Sequence, residues 1–218
     1  MNLHDAYLTL RAIGIVLGDS NRTEQIHVVE ETTCRRRFAA ELARMQQTEA
    51  GRALLALRPE LCSAQVDYDA LRRLPRHTLG GAYAAHLDEN HLSAELQASR
   101  TTHVDHEDVA YLVRRFRQTH DVWHPLTSLG VTPHEEVTIH AFSYGQLQLP
   151  VSALIVSLGG IKHGVLERRW AMLLGTFRQA YRAGCEAAPL LEVHWEKMWG
   201  DALDEVRRRF RIEPVAMA

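Results

Sequence analysis

His120 and His124 stand four residues apart in "HDVWH", with Asp121 beside the first. Twelve residues past His124 comes Glu136, preceded by Glu135 in "TPHEE". Imidazole nitrogens and carboxylate oxygens are donors for zinc and other first-row divalent ions, and two of each fill a four-coordinate shell. Helical residues four apart lie one turn above the other, so His120 and His124 can face the same ion. Asp121 leans in from the margin of that stripe, and Glu136 would arrive from the next helix.

The two glutamates are separable on local grounds. Thr132, Pro133 and Glu135 form a helix start: an N-cap, a proline at the first helical position, and an acid three past the cap. In such a capping box the acid folds back to the N-cap amide. Glu135 therefore has a structural task, and Glu136, on one side with His140, Tyr144 and Leu147, is the candidate ligand.

Competing chemistries share parts of this pattern. HExxH marks zinc proteases, in which the glutamate polarises the attacking water. Asp121 is one methylene shorter and poorly placed for that role, and no HxxGxxH continuation follows. A His–Asp phosphohydrolase needs upstream ligands. His103 and His106 are available, but "THVDHED" reads as a turn and helix start. A stand-alone metal-dependent hydrolase is thus the alternative reading. In the plainest reading one histidine packs and the other is solvated.

The elements that must position these residues read as helical throughout. Val109, Leu112, Phe116, His120, Trp123 and Thr127 recur at spacings of three and four, which predicts a helix over 105–128 with one inward stripe. Pro125 removes a hydrogen bond near its end and frees the carbonyl of residue 121, so it kinks this helix or ends it early. Arg114, Arg115 and Arg117 read as a solvated face, one of them within reach of the acidic ligands. Turn signals at 18–21, 58–61, 74–81 and 130–133, without a persuasive period-2 strand, predict a single all-α domain over 1–218. Residues 150–161 carry Val151, Leu154, Ile155, Leu158 and Ile161 around a short helix. Such a segment is core, or it lines a lipid channel or rests on a membrane surface. The loop from Gly159 through Lys162 and His163 to Gly164 is a helix end, or a basic rim suited to a headgroup.

Composition narrows the classes. The 218 residues are 46% hydrophobic and 24% charged with a formal charge of −2, which gives no electrostatic footprint for nucleic acid. Cys34, Cys62 and Cys185 have no metal-site or disulfide-framework spacing. The apolar run at 149–160 is too short to span a bilayer. The start "MNLHDAYLTL" resembles neither a secretory signal nor a transit peptide. The expectation is a cytoplasmic protein, at most peripheral on the inner membrane face.

HDxxH, eleven residues and a glutamate resembles the signature of the coenzyme Q (ubiquinone) biosynthesis protein 4 family. Further blocks follow in order. "LPRHTLGGAYAAHLDENHLS" (74–93) is similar to the family's "LP…TLG.AYA.FLD.N". "AYLVRRFRQTHDVWH" (110–124) is similar to "YV..RYRE.HD..H". "GQLQLPVSALIVSLGG" (145–160) resembles its apolar helix after Leu-Pro, and "HWEKMWGDALDEVRRRF" (194–210) its closing helix. The likeness covers about 74–211, and residues up to about Asp67 add only a compatible helical pattern.

The resemblance implies an all-helical bundle in which His120, Asp121, His124 and Glu136 bind a divalent metal, zinc first. It also implies an apolar channel beside the metal for a polyprenyl lipid or quinone precursor, with Tyr83, Leu154, Ile155 and Leu158 as lining candidates. Tyr83 and Asp88 fall in the second block, where packing is the competing role. Glu196 and Trp199, in the closing helix, suggest structure. The family is credited with organising other quinone-biosynthesis enzymes, a role that favours a homodimer, and with oxidative removal of the ring carboxylate at C1. Pro125 and His134, beside the ligands, depart from the family pattern and put metal identity and site openness in question.

Overall fold

A computed structural model of the protein describes residues 3–18, 22–97, 101–161 and 170–217. The helices are α1 (Leu3–Gly18), α2 (Thr23–Thr33), α3 (Arg35–Met45), α4 (Glu49–Leu57), α5 (Tyr68–Arg73), α6 (Leu79–Glu89), α7 (Ala94–Gln97), α8 (Glu107–Thr127), α9 (Pro133–Leu147), α10 (Pro150–Ile161), α11 (Trp170–Glu186) and α12 (Leu203–Phe210). Short 3-10 turns at Leu190–Glu192 and Trp195–Lys197 precede α12. Among the described residues there is no strand, only an isolated bridge between Thr78 and Ala202. The all-α expectation holds.

α8 is the axis. The predicted stripe is buried except at His120, which is half-buried: Leu112 and Trp123 are sealed, Phe38 of α3 packs tilted against Phe116, and Phe142 of α9 packs edge-on against Trp123. Helices α3, α6, α7 and α9 pack on α8, while α9 also carries α10 and α11. The α9–α11 crossing is tight because Gly145 and Gly184 have no side chain. A Cβ on Gly145 would come within 2.4 Å of the Tyr181 carbonyl oxygen, and one on Gly184 within 2.2 Å of that of Phe142.

Pro125 does not end α8. The helix continues to Thr127 and stops at Ser128, whose φ of 61° turns the chain left-handed. The Leu129 amide donates to the His124 carbonyl (3.1 Å), and the Ser128 amide to that of Pro125 (3.4 Å), the pairing of a Schellman motif. Arg207 of α12 covers the last carbonyls, its Nε donating to Leu126 (2.9 Å) and its Nη2 to Pro125 (2.8 Å).

The arginines before the histidine pair correct the sequence reading. Arg115 and Arg117 are buried, and their salt bridges run to Glu196, Glu30 and Glu31 rather than to the acidic ligands. Arg115 grips both Glu196 oxygens at 2.5 and 3.0 Å and donates to the Val193 carbonyl (3.0 Å), tying the C-terminal segment to α8. Arg117 donates to Glu30 (2.6 Å) and Glu31 (2.7 Å) of α2. Glu31 also accepts the Thr102 and His103 amides, both at 2.8 Å. Arginine on an amphipathic helix usually faces water, and only partners distant in sequence reverse that here. Arg114 is half-buried against Glu60.

The C-terminal segment fixes α6. Thr78 caps the helix, its hydroxyl accepting from the Gly81 amide (3.2 Å). The Leu79 and Gly80 amides, which a helix start leaves unpaired, donate to the carbonyls of Asp201 and Trp199, both at 2.9 Å. No helix among the described residues is long and apolar enough to cross a membrane.

Candidate metal centre

The helix end at Ser128 does more than stop α8. It turns the carbonyls of Leu129 and Gly130 back onto His124, whose Nδ1 donates to them at 3.2 and 3.0 Å. A carbonyl only accepts, so Nδ1 carries the proton and Nε2 keeps its lone pair. This is the usual arrangement of a metal-binding histidine. That Nε2 lies 3.7 Å from Glu136 Oε1, and His120 Nε2 lies 3.8 Å from Glu136 Oε2. Both gaps exceed a hydrogen bond. They approach the edge, about 3.4 Å, of a tetrahedron of donors about 2.1 Å from an ion.

Glu136 reaches this position because Glu135 is occupied. Glu135 Oε2 accepts from the Thr132 amide (3.1 Å) and hydroxyl (2.6 Å), and its Oε1 from the Gly130 amide (2.9 Å). Glu135 thereby also holds the loop whose carbonyls orient His124. Its neighbour is left to face the histidines.

The four sequence candidates are gathered, but as two overlapping groups. Ligand atoms of His120, His124 and Glu136 lie within 4.8 Å of one another, as do those of His86, Asp121 and His124. Asp121 is three residues before His124 and therefore flanks it on the side opposite His120. His86, from α6, was not legible as a ligand candidate: a lone histidine on an apolar helix reads as core. Its ring lies over that of His124, centroids 4.6 Å apart and 22° from parallel. His140, one turn past Glu136, sits 5.2 Å from His120 ring to ring, and its Nδ1 is 3.4 Å from Ser152 Oγ of α10. The i, i+4 spacing from Glu136 could have signalled it.

Electrostatics set the protonation states. Burial keeps His124 neutral, with its pKa pushed to about 3, and His120 charge and His86 reinforce this against Glu136. His140 is likewise pushed to about 3 by burial and then by His120. At His120 burial also opposes the charge, but Glu136, then Asp121 and Glu30, outweigh it and hold the imidazole above its usual range. Burial opposes ionisation of Glu136, yet the neighbouring imidazoles, His120 first and then His124 and His140, bring it to about 2. The pocket stabilises positive charge at His120 and negative charge at Glu136.

These residues fit a divalent ion. The donors are imidazole and carboxylate, and His120 Nδ1 and His86 Nε2 are buried without a hydrogen-bond partner among the described residues. Asp121 and His124 form the dry side, whereas the Glu136 side chain is 39% exposed and marks the open side.

The lipid-lining candidates lie in two places. Tyr83 is buried, stacked on Trp199 at 5.5 Å and tilted against Tyr68 at 6.2 Å. Leu154, Ile155 and Leu158 are half-buried on α10, where Leu154 and Ile155 pack against the core. Asp88 is exposed and paired with Arg72. Of the loop after Gly159, residues 162–164 lie outside the described residues.

Residues 1–216 match the model of the family described as coenzyme Q (ubiquinone) biosynthesis protein Coq4. The chain belongs to this family. It is 33% identical over 210 residues to the mitochondrial ubiquinone biosynthesis protein coq4 of Pyrenophora tritici-repentis, covering 92% of this chain and 71% of that one. To the mitochondrial COQ4 homolog of Anopheles gambiae it is 29% identical over 204 residues, covering 92% and 70%. The crystal structure of a protein from Nostoc punctiforme PCC 73102 has the same fold, with a TM-score of 0.73, 21% identity, and coverage of 95% of this chain and 96% of that one. The family match extends well beyond 74–211 into the N-terminal helices. Those helices supply Glu30 and Glu31, the partners of Arg117.

Proposed function

We propose that the chain serves ubiquinone biosynthesis by binding a divalent ion, zinc first, at His120, Asp121, His124 and Glu136. The ion anchors the polar head of a polyprenylated quinone precursor. The observation that carries this reading is the convergence of two donor groups on His124, whose free nitrogen is set by the backbone of the loop that ends α8. When bound, the ion supplies a Lewis-acid charge to a ring carboxylate or phenol oxygen.

The chain's own residues do the rest. Without the ion, Glu136 favours a proton on His120; the ion would take that proton's place when His120 ligates, and its charge then faces an acidic head. The buried side of Asp121 and His124 excludes water, and Glu136 faces the entrance. Ser152 links α10 to the cluster through His140, so a tail leaving the head would run along Leu154, Ile155 and Leu158. Ile161, 56% exposed near the end of α10, gives that route an apolar exit suited to the inner face of a membrane. On this reading the protein is cytoplasmic and peripheral, and presents its lipid to other quinone-biosynthesis enzymes, as a homodimer if it acts as their scaffold.

Elemental analysis with mass spectrometry of co-purifying lipid tests the proposal. About one zinc-class ion per chain and a polyprenylated aromatic should be found, both lost in His124→Ala. An ion-free protein without lipid would sink it. Oxygen-dependent decarboxylation of a prenylated hydroxybenzoate, lost with His124, would make the site catalytic. Phosphate or peptide release dependent on His124 would favour the hydrolase alternative.

A further inference from the structure

The proposed ligand set leaves His86 unexplained. This side chain sits on α6, is 8% exposed, and its Nε2 has no hydrogen-bond partner among the described residues. Leaving a buried polar nitrogen unpaired is costly, because its bond to water is lost on folding and not replaced. The other ring nitrogen makes only a 3.5 Å approach to the Asn90 amide nitrogen, too long to fix a tautomer. Simple packing would be served as well by an apolar ring.

Its position is built rather than incidental. The C-terminal segment pins the start of α6 through Asp201 and Trp199. At the other end the Asn90 side chain donates to the His86 carbonyl at 2.8 Å. Gly80 brings the helix against Trp199, where a Cβ would lie 2.9 Å from the tryptophan's own. The result is an imidazole laid over His124, with its ligand atom grouped with those of Asp121 and His124.

Two donor groups sharing His124 could in principle hold two ions. The geometry of His124 excludes this, because its Nδ1 is committed to Leu129 and Gly130 and only Nε2 remains. Resting on the metal reading above, we propose that His86 is a fifth donor to that ion, making a shell of three imidazoles and two carboxylates. Asp121 and His86 close it on the buried side, and Glu136 is the ligand nearest solvent. Such a shell is already saturated for tetrahedral zinc. It suits a five-coordinate ion, or a six-coordinate one that takes its last ligand from the entrance.

The test uses the full chain, stripped of metal and loaded with Co2+ alone. Hyperfine-shifted imidazole resonances from three histidines are expected in the wild type, a result that needs no variant to fold. His86→Phe, checked for helicity and cooperative melting, should change the visible Co2+ spectrum. It should also weaken Co2+ and Zn2+ binding by more than the roughly 10–100-fold that loss of an outer partner costs. Signals from two histidines, with spectrum and affinity unchanged in His86→Phe, would overturn the assignment of His86 while leaving the metal site standing. If the wild type takes up neither ion, the metal reading itself falls.

Discussion

Two charged clusters lie on successive turns of α8, and they are built on opposite terms. Around Arg117 the gaps are closed: Glu30 and Glu31 accept at 2.6 and 2.7 Å, and the second Glu31 oxygen takes two backbone amides. Around His124 they are open: carboxylate and imidazoles stand 3.7–3.8 Å apart, and His86 and His120 each keep a buried nitrogen unpaired among the described residues. A cluster whose charges meet at hydrogen-bond distance is complete as folded. One whose donors converge without touching is shaped around something else. The contrast sets a structural cluster beside a candidate site.

The largest expected effect breaks the closed cluster. Arg117→Ala leaves two carboxylates buried without their cation and should cost about 3–5 kcal/mol, the usual penalty for removing one partner of a buried ion pair. Urea unfolding in chelator and in zinc should give the same loss, since nothing in this cluster awaits a ligand. A loss that zinc largely repairs would mean the two clusters are one. The open cluster should behave in the reverse way. Zinc at about 100 times its Kd should stabilise the wild type by about 2.7 kcal/mol. Glu136→Ala should forfeit that gain and most bound metal while unfolding near the wild-type midpoint in chelator, whereas His124→Ala, at a side chain buried and bonded to Leu129 and Gly130, should lose the metal and also some metal-free stability.

The same contrast explains what could be read from the chain. Helices, the inward stripe of α8 and the division of labour between Glu135 and Glu136 follow from spacing and capping, which are local, so they were legible. Arg115 and Arg117 misled because their partners lie 81 and 86–87 residues away, and a face turns from solvent to core only when those partners arrive. His86 was missed for the same reason: nothing within one turn of α6 marks it, and it meets His124 only through the packing of α6 on α8. Pro125 suggested a kink or an early end; the early end does not occur, since α8 runs on to Thr127, where Arg207 of the closing helix takes the carbonyls of Pro125 and Leu126.

Smaller effects sharpen the boundary between the clusters. Glu135→Ala removes a helix cap beside the site without removing a donor. It should keep the metal stoichiometry and cost about 0.5–2 kcal/mol in chemical unfolding, the range for a lost cap. Metal lost with Glu135 alone would reverse the roles of the two glutamates.

The last effect vanishes at neutral pH. His27 of α2 is pushed to about 4, by burial and then by the Arg117 charge, so it stays neutral in the fold where an unfolded histidine titrates near 6.5. A lowered histidine pKa makes the unfolded chain bind more protons, so stability falls as pH drops from about 6.5 to 4. Glu31 acts in the same direction. Burial opposes its charge, but Arg117 and the amides of His103 and Thr102 outweigh it and hold its pKa down. Its contribution is full above the ordinary carboxylate range and is lost as pH falls through the lowered value. In the metal-free chain, His27→Gln should leave stability at pH 7.5 nearly unchanged. It should flatten the slope between pH 6.5 and 4 by up to about 1.4 kcal/mol per pH unit, one proton's worth. An unchanged slope would mean that His27 does not sense the closed cluster and that the acid sensitivity of the fold comes from other groups, Glu31 among them.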